Sequence, residues 1–137
     1  LKGMHRVREA GKGKKSVRLL GAGAILREAL AAAEVLESEH GVASEVWSVT
    51  SFTELRRDGR AAKKPWVAQC FASGSGPVIA ASDYVSALAD LIREWVPGRY
   101  VTLGTDGFGR SDTRAALRKY FGVDREAIVK AALGALG

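Results

Sequence analysis

Ser16-Val17-Arg18-Leu19-Leu20-Gly21-Ala22-Gly23 runs without a break into Ala24–Glu39, His40-Gly41 and Ala43-Ser44-Glu45-Val46-Trp47-Ser48-Val49-Thr50. The first piece is an apolar, β-favouring run that ends in glycines. In the second, Ile25, Leu26, Ala29, Leu30, Ala33 and Leu36 recur at helical spacing, with Arg27, Glu28, Glu34 and Glu37 mostly opposite. Gly41 suits the left-handed position that closes a helix. The third piece alternates Glu45, Trp47 and Val49 against Val46 and Ser48, as a strand does. Strand, helix and strand make a βαβ unit, whose strands run parallel with a right-handed crossover.

Outward from this unit the pattern continues. Before it, Met4-His5-Arg6-Val7-Arg8 reads as a short edge strand and Glu9–Lys15 as a charged, glycine-punctuated turn, with His5 a surface imidazole. After it, Ser51-Phe52-Thr53-Glu54 fits a capping box, and Asp58-Gly59 is expected to end the helix it opens. Arg60–Lys64 is a basic loop leading to Pro65. Trp66–Phe71 scores as a strand on propensity, with Cys70 a small buried hydrophobe. Ser73–Pro77 is a turn and Val78-Ile79-Ala80-Ala81 a buried strand. Ser82-Asp83 caps a helix that turns Tyr84, Leu88, Leu91, Ile92 and Trp95 inward and closes at Pro97-Gly98. Tyr100-Val101-Thr102-Leu103 is the last strand. A helix near Thr113–Tyr120 follows, and Asp124 caps a final one with Ile128, Val129, Ala132, Leu133 and Leu136 on its inner face. The order implies one domain over residues 1–137, a three-layer α/β/α arrangement on a mainly parallel sheet.

Between the last strand and its helix lies Gly104-Thr105-Asp106-Gly107-Phe108-Gly109-Arg110-Ser111-Asp112-Thr113-Arg114. Its glycines serve a tight turn, but Phe108 at the tip, flanked by Asp106, Arg110, Asp112 and Arg114, suits docking. Loops at the carboxyl ends of strands are where open α/β sheets meet ligands and neighbours.

The chain of 137 residues carries a net charge of +6, with 47% hydrophobic and 26% charged residues, an ordinary globular balance. Residues 1–18 hold seven basic side chains against Glu9 alone, and the remainder balances 14 against 14. That basic segment has no aromatic for base stacking and no nucleic-acid-binding signature, so a solvated turn is favoured over nucleic acid. No run reaches the roughly 20 apolar residues of a membrane span, and no signal peptide is evident. With Cys70 as the one cysteine, a reducing cytoplasm is the expected setting.

Catalytic constellations are missing from the pattern. Two histidines, one cysteine, no G-x-S-x-G elbow, no Walker loop and no zinc spacing leave no cofactor-binding, metal or catalytic residue to nominate beyond Asp106 with Asp112, which suit helix capping. Gly21-x-Gly23 invites a nucleotide-binding reading, yet Leu26 stands where the dinucleotide fingerprint needs its third glycine.

The combined residues resemble the C-terminal domain of the homodimeric bacterial pyruvate dehydrogenases, a transketolase-like family. The resemblance is carried by Gly104–Arg114, by Leu19-Leu20-Gly21-x-Gly23-Ala24-Ile25-Leu26-Arg27-Glu28, by Val46–Gly59 and by Asp83-Tyr84. It implies a five-stranded mixed sheet with Met4–Arg8 antiparallel at the edge, and a helix at Trp66–Phe71 in place of the strand. The family carries a longer segment before Pro65-Trp66 and continues beyond Gly137. Its thiamine diphosphate, magnesium and catalytic residues belong to two preceding domains, so none is carried over here. The implied role is accessory: support of those domains and of the second subunit in an enzyme that decarboxylates pyruvate and acetylates a lipoyl acyltransferase. The implied docking residues are Asp106, Gly107, Phe108, Gly109, Arg110, Asp112 and Arg114.

Overall fold

The computed structural model describes residues 3–72, 75–82, 86–104 and 124–137. Five strands form one sheet: β1 (Met4–Arg8), β2 (Lys15–Ala22), β3 (Val42–Val49), β4 (Val78–Ser82) and β5 (Tyr100–Leu103). Their order is β1-β3-β2-β4-β5. β1 runs antiparallel to β3, with Met4 opposite Val49, and every other pairing is parallel. The edge position and direction expected of Met4–Arg8 are both found.

Helices α1 (Leu26–His40) and α5 (Arg125–Leu136) cover one face of the sheet. There Val17, Leu19, Val46 and Ile79 meet Ile25, Ala29, Ala33, Leu36, Ile128 and Ala132. Helices α2 (Phe52–Ala61), α3 (Trp66–Cys70) and α4 (Ser86–Asp90) cover the other. There Leu20, Trp47, Val49, Ala80 and Tyr100 meet Phe52, Leu55, Val67, Phe71 and Ile92. Trp47 and Phe71 stack edge to face, their centroids 5.8 Å apart. The expected three layers are thus present. Among the described residues no helix is long and apolar enough to cross a membrane.

The local signals are realised in detail at several helix ends. Gly41 closes α1 at φ 62°, and the Asp124 carboxylate accepts the Ala127 N–H at 2.9 Å. The Ser51 hydroxyl accepts the Glu54 N–H at 3.1 Å, but the Glu54 carboxylate turns to Arg57 at 2.6 Å. Only half of the capping box forms, because the Ser51 N–H is already donated to the Gly3 carbonyl at 3.2 Å.

Five expectations are corrected. The helix expected to close at Pro97-Gly98 is broken: α4 ends at Asp90, and Arg93–Trp95 is a separate 3₁₀ turn. Trp66–Cys70 is a helix, as the resemblance implied, not the strand its propensity suggests. Its first N–H, on Trp66, donates to the Asp58 carboxylate at 2.6 Å, and the Trp66 indole N–H donates to the Met4 carbonyl at 3.1 Å. Those distant partners override the local preference of an aromatic and a β-branched residue. Asp58-Gly59 does not stop α2, which continues to Ala61. Asp58 starts α3 instead, and Gly59 admits the Trp95 indole, whose atoms lie 2.6 Å from where a Cβ would stand. Glu28, placed by periodicity on the outer side of α1, is 7% exposed and accepts the Arg125 backbone and guanidinium N–H groups at 3.0–3.3 Å. Cys70 is half-buried at the core margin. The cap at Asp83, Tyr84 and the helix near Thr113–Tyr120 lie outside the described residues.

β2 is buried from Val17 to Ala22, and α1 lies close over it. A Cβ on Gly21 would stand 2.7 Å from the Leu26 Cα and 3.1 Å from the Ala29 Cβ. The obstacle is backbone, so helix and strand must separate to admit it. Gly21→Ala is therefore expected to destabilise the chain by about 1–3 kcal/mol in urea unfolding, despite alanine's smaller backbone entropy cost.

Candidate functional site

In an open α/β sheet the expected ligand crevice lies beyond the carboxyl ends of the strands, where the strand order reverses. Here that point falls between β2 and β4, at Gly21-Ala22-Gly23 and Ser82. Gly23 takes φ 64° and opens a single 3₁₀ turn, Gly23–Ile25, ahead of α1. The nearby depression measures about 170 Å³ and is lined by Ala22, Val49, Thr50, Ser51, Phe52, Thr53 and Leu88. Small-molecule sites occupy about 300–1,000 Å³. Its polar groups are already engaged: Thr50 and Ser51 N–H both donate to the Gly3 carbonyl, at 2.8 and 3.2 Å, and the Ser51 hydroxyl contacts Thr53 at 3.0 Å. The Glu28 carboxylate in the first turn of α1 also opposes an anion there. The lack of a third glycine at Leu26 does not hold helix and strand apart, because Gly21 supplies the close approach from the strand side.

The predicted docking residues Asp106, Gly107, Phe108, Gly109, Arg110, Asp112 and Arg114 lie outside the described residues. On either side of them stand Gly104, buried just after β5, and Asp124, the cap of α5.

At the opposite edge of the sheet, one carboxylate organises the basic segment. Glu37 accepts from Arg8 Nη2 at 2.7 Å, Gly11 N–H at 2.6 Å and Ser44 N–H at 2.9 Å, while Arg8 Nη1 donates to the Ser44 carbonyl at 2.7 Å. The Arg8 hydrogen bond is the main reason the Glu37 carboxyl is held down at about 2, against an ordinary 4.5. The same pairing raises Arg8. Gly13 lies flat against β3, since a Cβ there would come within 2.5 Å of the Ala43 nitrogen and 2.6 Å of the Gly41 oxygen. The loop thereby presents Lys12, Lys14 and Lys15 to a depression of about 710 Å³ that His40, Val42, Leu133 and Leu136 also line.

A third concavity, of about 560 Å³, lies between α3 and the turn before β5. Phe71, Trp95, Val96 and Pro97 wall it, with Arg18, Glu94 and Arg99 as its charged members. Arg18 is 4% exposed, although it sits in the central strand. Its guanidinium lies 4.9 Å over the Phe71 ring and donates to the Phe71 and Gly76 carbonyls at 3.0 and 2.8 Å. Periodicity within β2 could not foretell this, because a strand buried on both faces has no polar side. The one available signal was a single charge inside an apolar run.

Residues 3–124 match the family described as transketolase-like TK C-terminal domain. Over 99% of its length the chain is 48% identical to the pyruvate dehydrogenase E1 component of Mycolicibacterium smegmatis and 47% identical to that of Pseudomonas aeruginosa. It is 43% identical to that of Escherichia coli over 98%. The chain spans 16–17% of the length of these curated relatives. Among solved structures, a split-gene transketolase described as an inactive β4 tetramer superposes with a TM-score of 0.71 at 24% identity, over 97% of this chain and 42% of that one. Transketolase from Leishmania mexicana gives 0.69 at 21% identity, over 98% of this chain and 18% of that one. At these identities the structural likeness is one of fold.

The Glu37 cluster sets a pH dependence. Its folded-state carboxyl titrates below the unfolded one, so its stabilisation is full above about pH 4.5 and is lost as pH falls toward 2. Allowing for partial solvent access, the contribution is roughly 2 kcal/mol. Urea unfolding of the parent sequence and of Glu37→Gln is expected to differ by about that much at neutral pH, with the gap closing toward about pH 2. A gap that does not change with pH would show that Glu37 acts through packing alone.

Proposed function

Because the chain belongs to the transketolase-like TK C-terminal domain family, we propose that it is the accessory C-terminal domain of a pyruvate dehydrogenase E1 component. The observation that carries this reading is coverage. Nearly the whole chain aligns at 43–48% identity with about a sixth of a much longer enzyme. In this reading the parent is a homodimeric, cytoplasmic enzyme of glycolytic carbon flow, which decarboxylates pyruvate and passes the acetyl group to a lipoyl acyltransferase partner.

Thiamine diphosphate and magnesium would serve that parent, so the fit of this chain's residues to them matters. Magnesium demands several oxygen ligands in near-octahedral array. Among the described residues no group of three or more His, Cys, Asp or Glu is placed to hold a metal, and the crevice at the carboxyl edge holds only about 170 Å³. The described residues do not fit the cofactor. Their titratable groups serve the scaffold instead: Glu37 binds the basic loop, Glu28 binds α5 to α1, and the Tyr100 hydroxyl donates to the Ala89 carbonyl at 2.7 Å.

The accessory role then rests on surfaces. We assign Phe108 as an apolar anchor that docks on a neighbouring domain or on the second subunit. Asp106, Arg110, Asp112 and Arg114 form its polar rim, and Gly107 and Gly109 allow close approach.

Two experiments test this function. Purified chain given pyruvate, thiamine diphosphate and Mg²⁺ is expected to release no CO₂ above background, and turnover would overturn the accessory reading. Phe108→Ala is expected to change the isolated chain's stability by much less than the roughly 3–5 kcal/mol of a buried phenylalanine, while weakening the dimer of a full-length E1 component in sedimentation. A full-sized loss in the isolated chain would make the loop plain scaffold.

A further inference from the structure

We propose that the cavity between α3 and the turn before β5 binds a small monocarboxylate with an apolar body, its carboxylate held by Arg18 and Arg99. The argument starts from a buried charge. Arg18 projects from β2 on the same face as Leu20 and Ala22, where the rest of the layer is hydrocarbon. A guanidinium has five N–H donors. Two are used, on the Phe71 and Gly76 carbonyls, and the buried Nε–H has no acceptor.

Neutral carbonyls and an aromatic face satisfy part of the guanidinium's hydrogen bonding but supply no counter-charge. Arg18 forms no ion pair with any described carboxylate. The carboxylate of its cross-strand neighbour Glu45 accepts the Trp47 indole N–H. Burial accordingly pushes the Arg18 guanidinium below its ordinary value, with the Glu45 charge opposing. Removing an ion from water without a partner is costly, and such groups are normally paired. The unmet demand at this position is for an anion.

The cavity's size and walls define the rest of the ligand. At about 560 Å³ it lies within the range of small-molecule sites. Phe71 and Trp95 offer flat apolar surfaces, and Val96 and Pro97 extend them. Arg99 stands at the mouth, its carbonyl fixed by the Val78 N–H at 2.9 Å. Glu94 lines the mouth as well, so the three charged members leave one net positive charge. That balance suits one carboxylate and disfavours a dianionic phosphate. The planar fork of a guanidinium matches a carboxylate in shape and charge. The walls are braced in advance: Phe71 rests edge-on against Trp47, and Gly98 holds the turn at φ 72°.

The test uses the full chain and two probes of nearly equal shape, phenylacetate and the uncharged phenylacetamide. Phenylacetate is expected to raise the melting temperature saturably, with phenylacetamide binding at least about tenfold more weakly in calorimetry. Arg99→Gln, a change at an exposed position, should weaken phenylacetate roughly threefold. Arg18→Gln should weaken it by roughly tenfold or more. If Arg18→Gln does not fold, the amide comparison and Arg99→Gln still decide the matter. Equal binding of acid and amide, or binding of neither, would make Arg18 a scaffold residue and overturn the proposal.

Discussion

A parallel sheet has to be covered on both faces, and that requirement governs this molecule. Its centre is β2, whose Val17 and Leu19 meet α1 and α5 while Leu20 and Ala22 meet the α2–α4 layer. Helices can close over such a strand only where side chains are short. Ala29, Ala32 and Ala33 on α1, Ala80 and Ala81 on β4, and Gly21 on β2 provide that relief, and all are buried. The same closeness forces every polar group caught between the layers to find a partner. Ser44 donates to the Val42 carbonyl at 3.0 Å, and Glu28 takes three N–H groups from Arg125. Arg18 is the one buried side chain among the described residues with a nitrogen left over.

How much of this was legible beforehand depended on the range of the interaction concerned. The strand Val78–Ser82 announces itself as a compact apolar run buried on both faces, and Val42–Val49 through its alternation. Helix α1 announces itself through spacing, and Gly41 and Asp124 through chemistry confined to one turn. What failed was decided at long range. The helix at Trp66–Cys70 depends on Asp58 and Met4, 8 and 62 residues away from Trp66, and no local propensity contains either. Glu28 looked like an outward residue because its partner Arg125 lies 97 positions on. Gly59 looked like a helix breaker because Trp95, the ring it accommodates, is in another element. Glu37 carried no local sign that it would gather Arg8, Gly11 and Ser44. The family resemblance reached α3 and the antiparallel edge strand, since a resemblance carries long-range arrangement with it. The docking residues around Phe108 lie outside the described residues.

The uneven charge of the chain has its own physical account. In a parallel α/β layer the helices run back against the strands, so their carboxyl ends collect at the edge where the strands begin. Here α1 ends at His40 and α5 at Leu136, and both residues line the depression that Lys12, Lys14 and Lys15 border. Helix carboxyl ends carry partial negative charge, and cations beside them are stabilising. The basic segment therefore has a local electrostatic role without any polyanion. Its arginines are used separately: Arg6 pairs with Glu9 at 3.3 Å and lies over the Trp47 ring, and Arg8 grips Glu37. Arg18 differs from all of these. It lies toward the same edge, opposite Val78 at the start of β4, yet it faces the other layer, away from the ends of α1 and α5. The charge that dipoles and ion pairs absorb elsewhere in the segment is left uncompensated there. The carboxyl edge, where α/β sheets usually place their ligands, has its polar groups drawn inward by Gly3 and Glu54. Among the described residues the unmet electrostatic demand thus sits at the amino edge of the sheet.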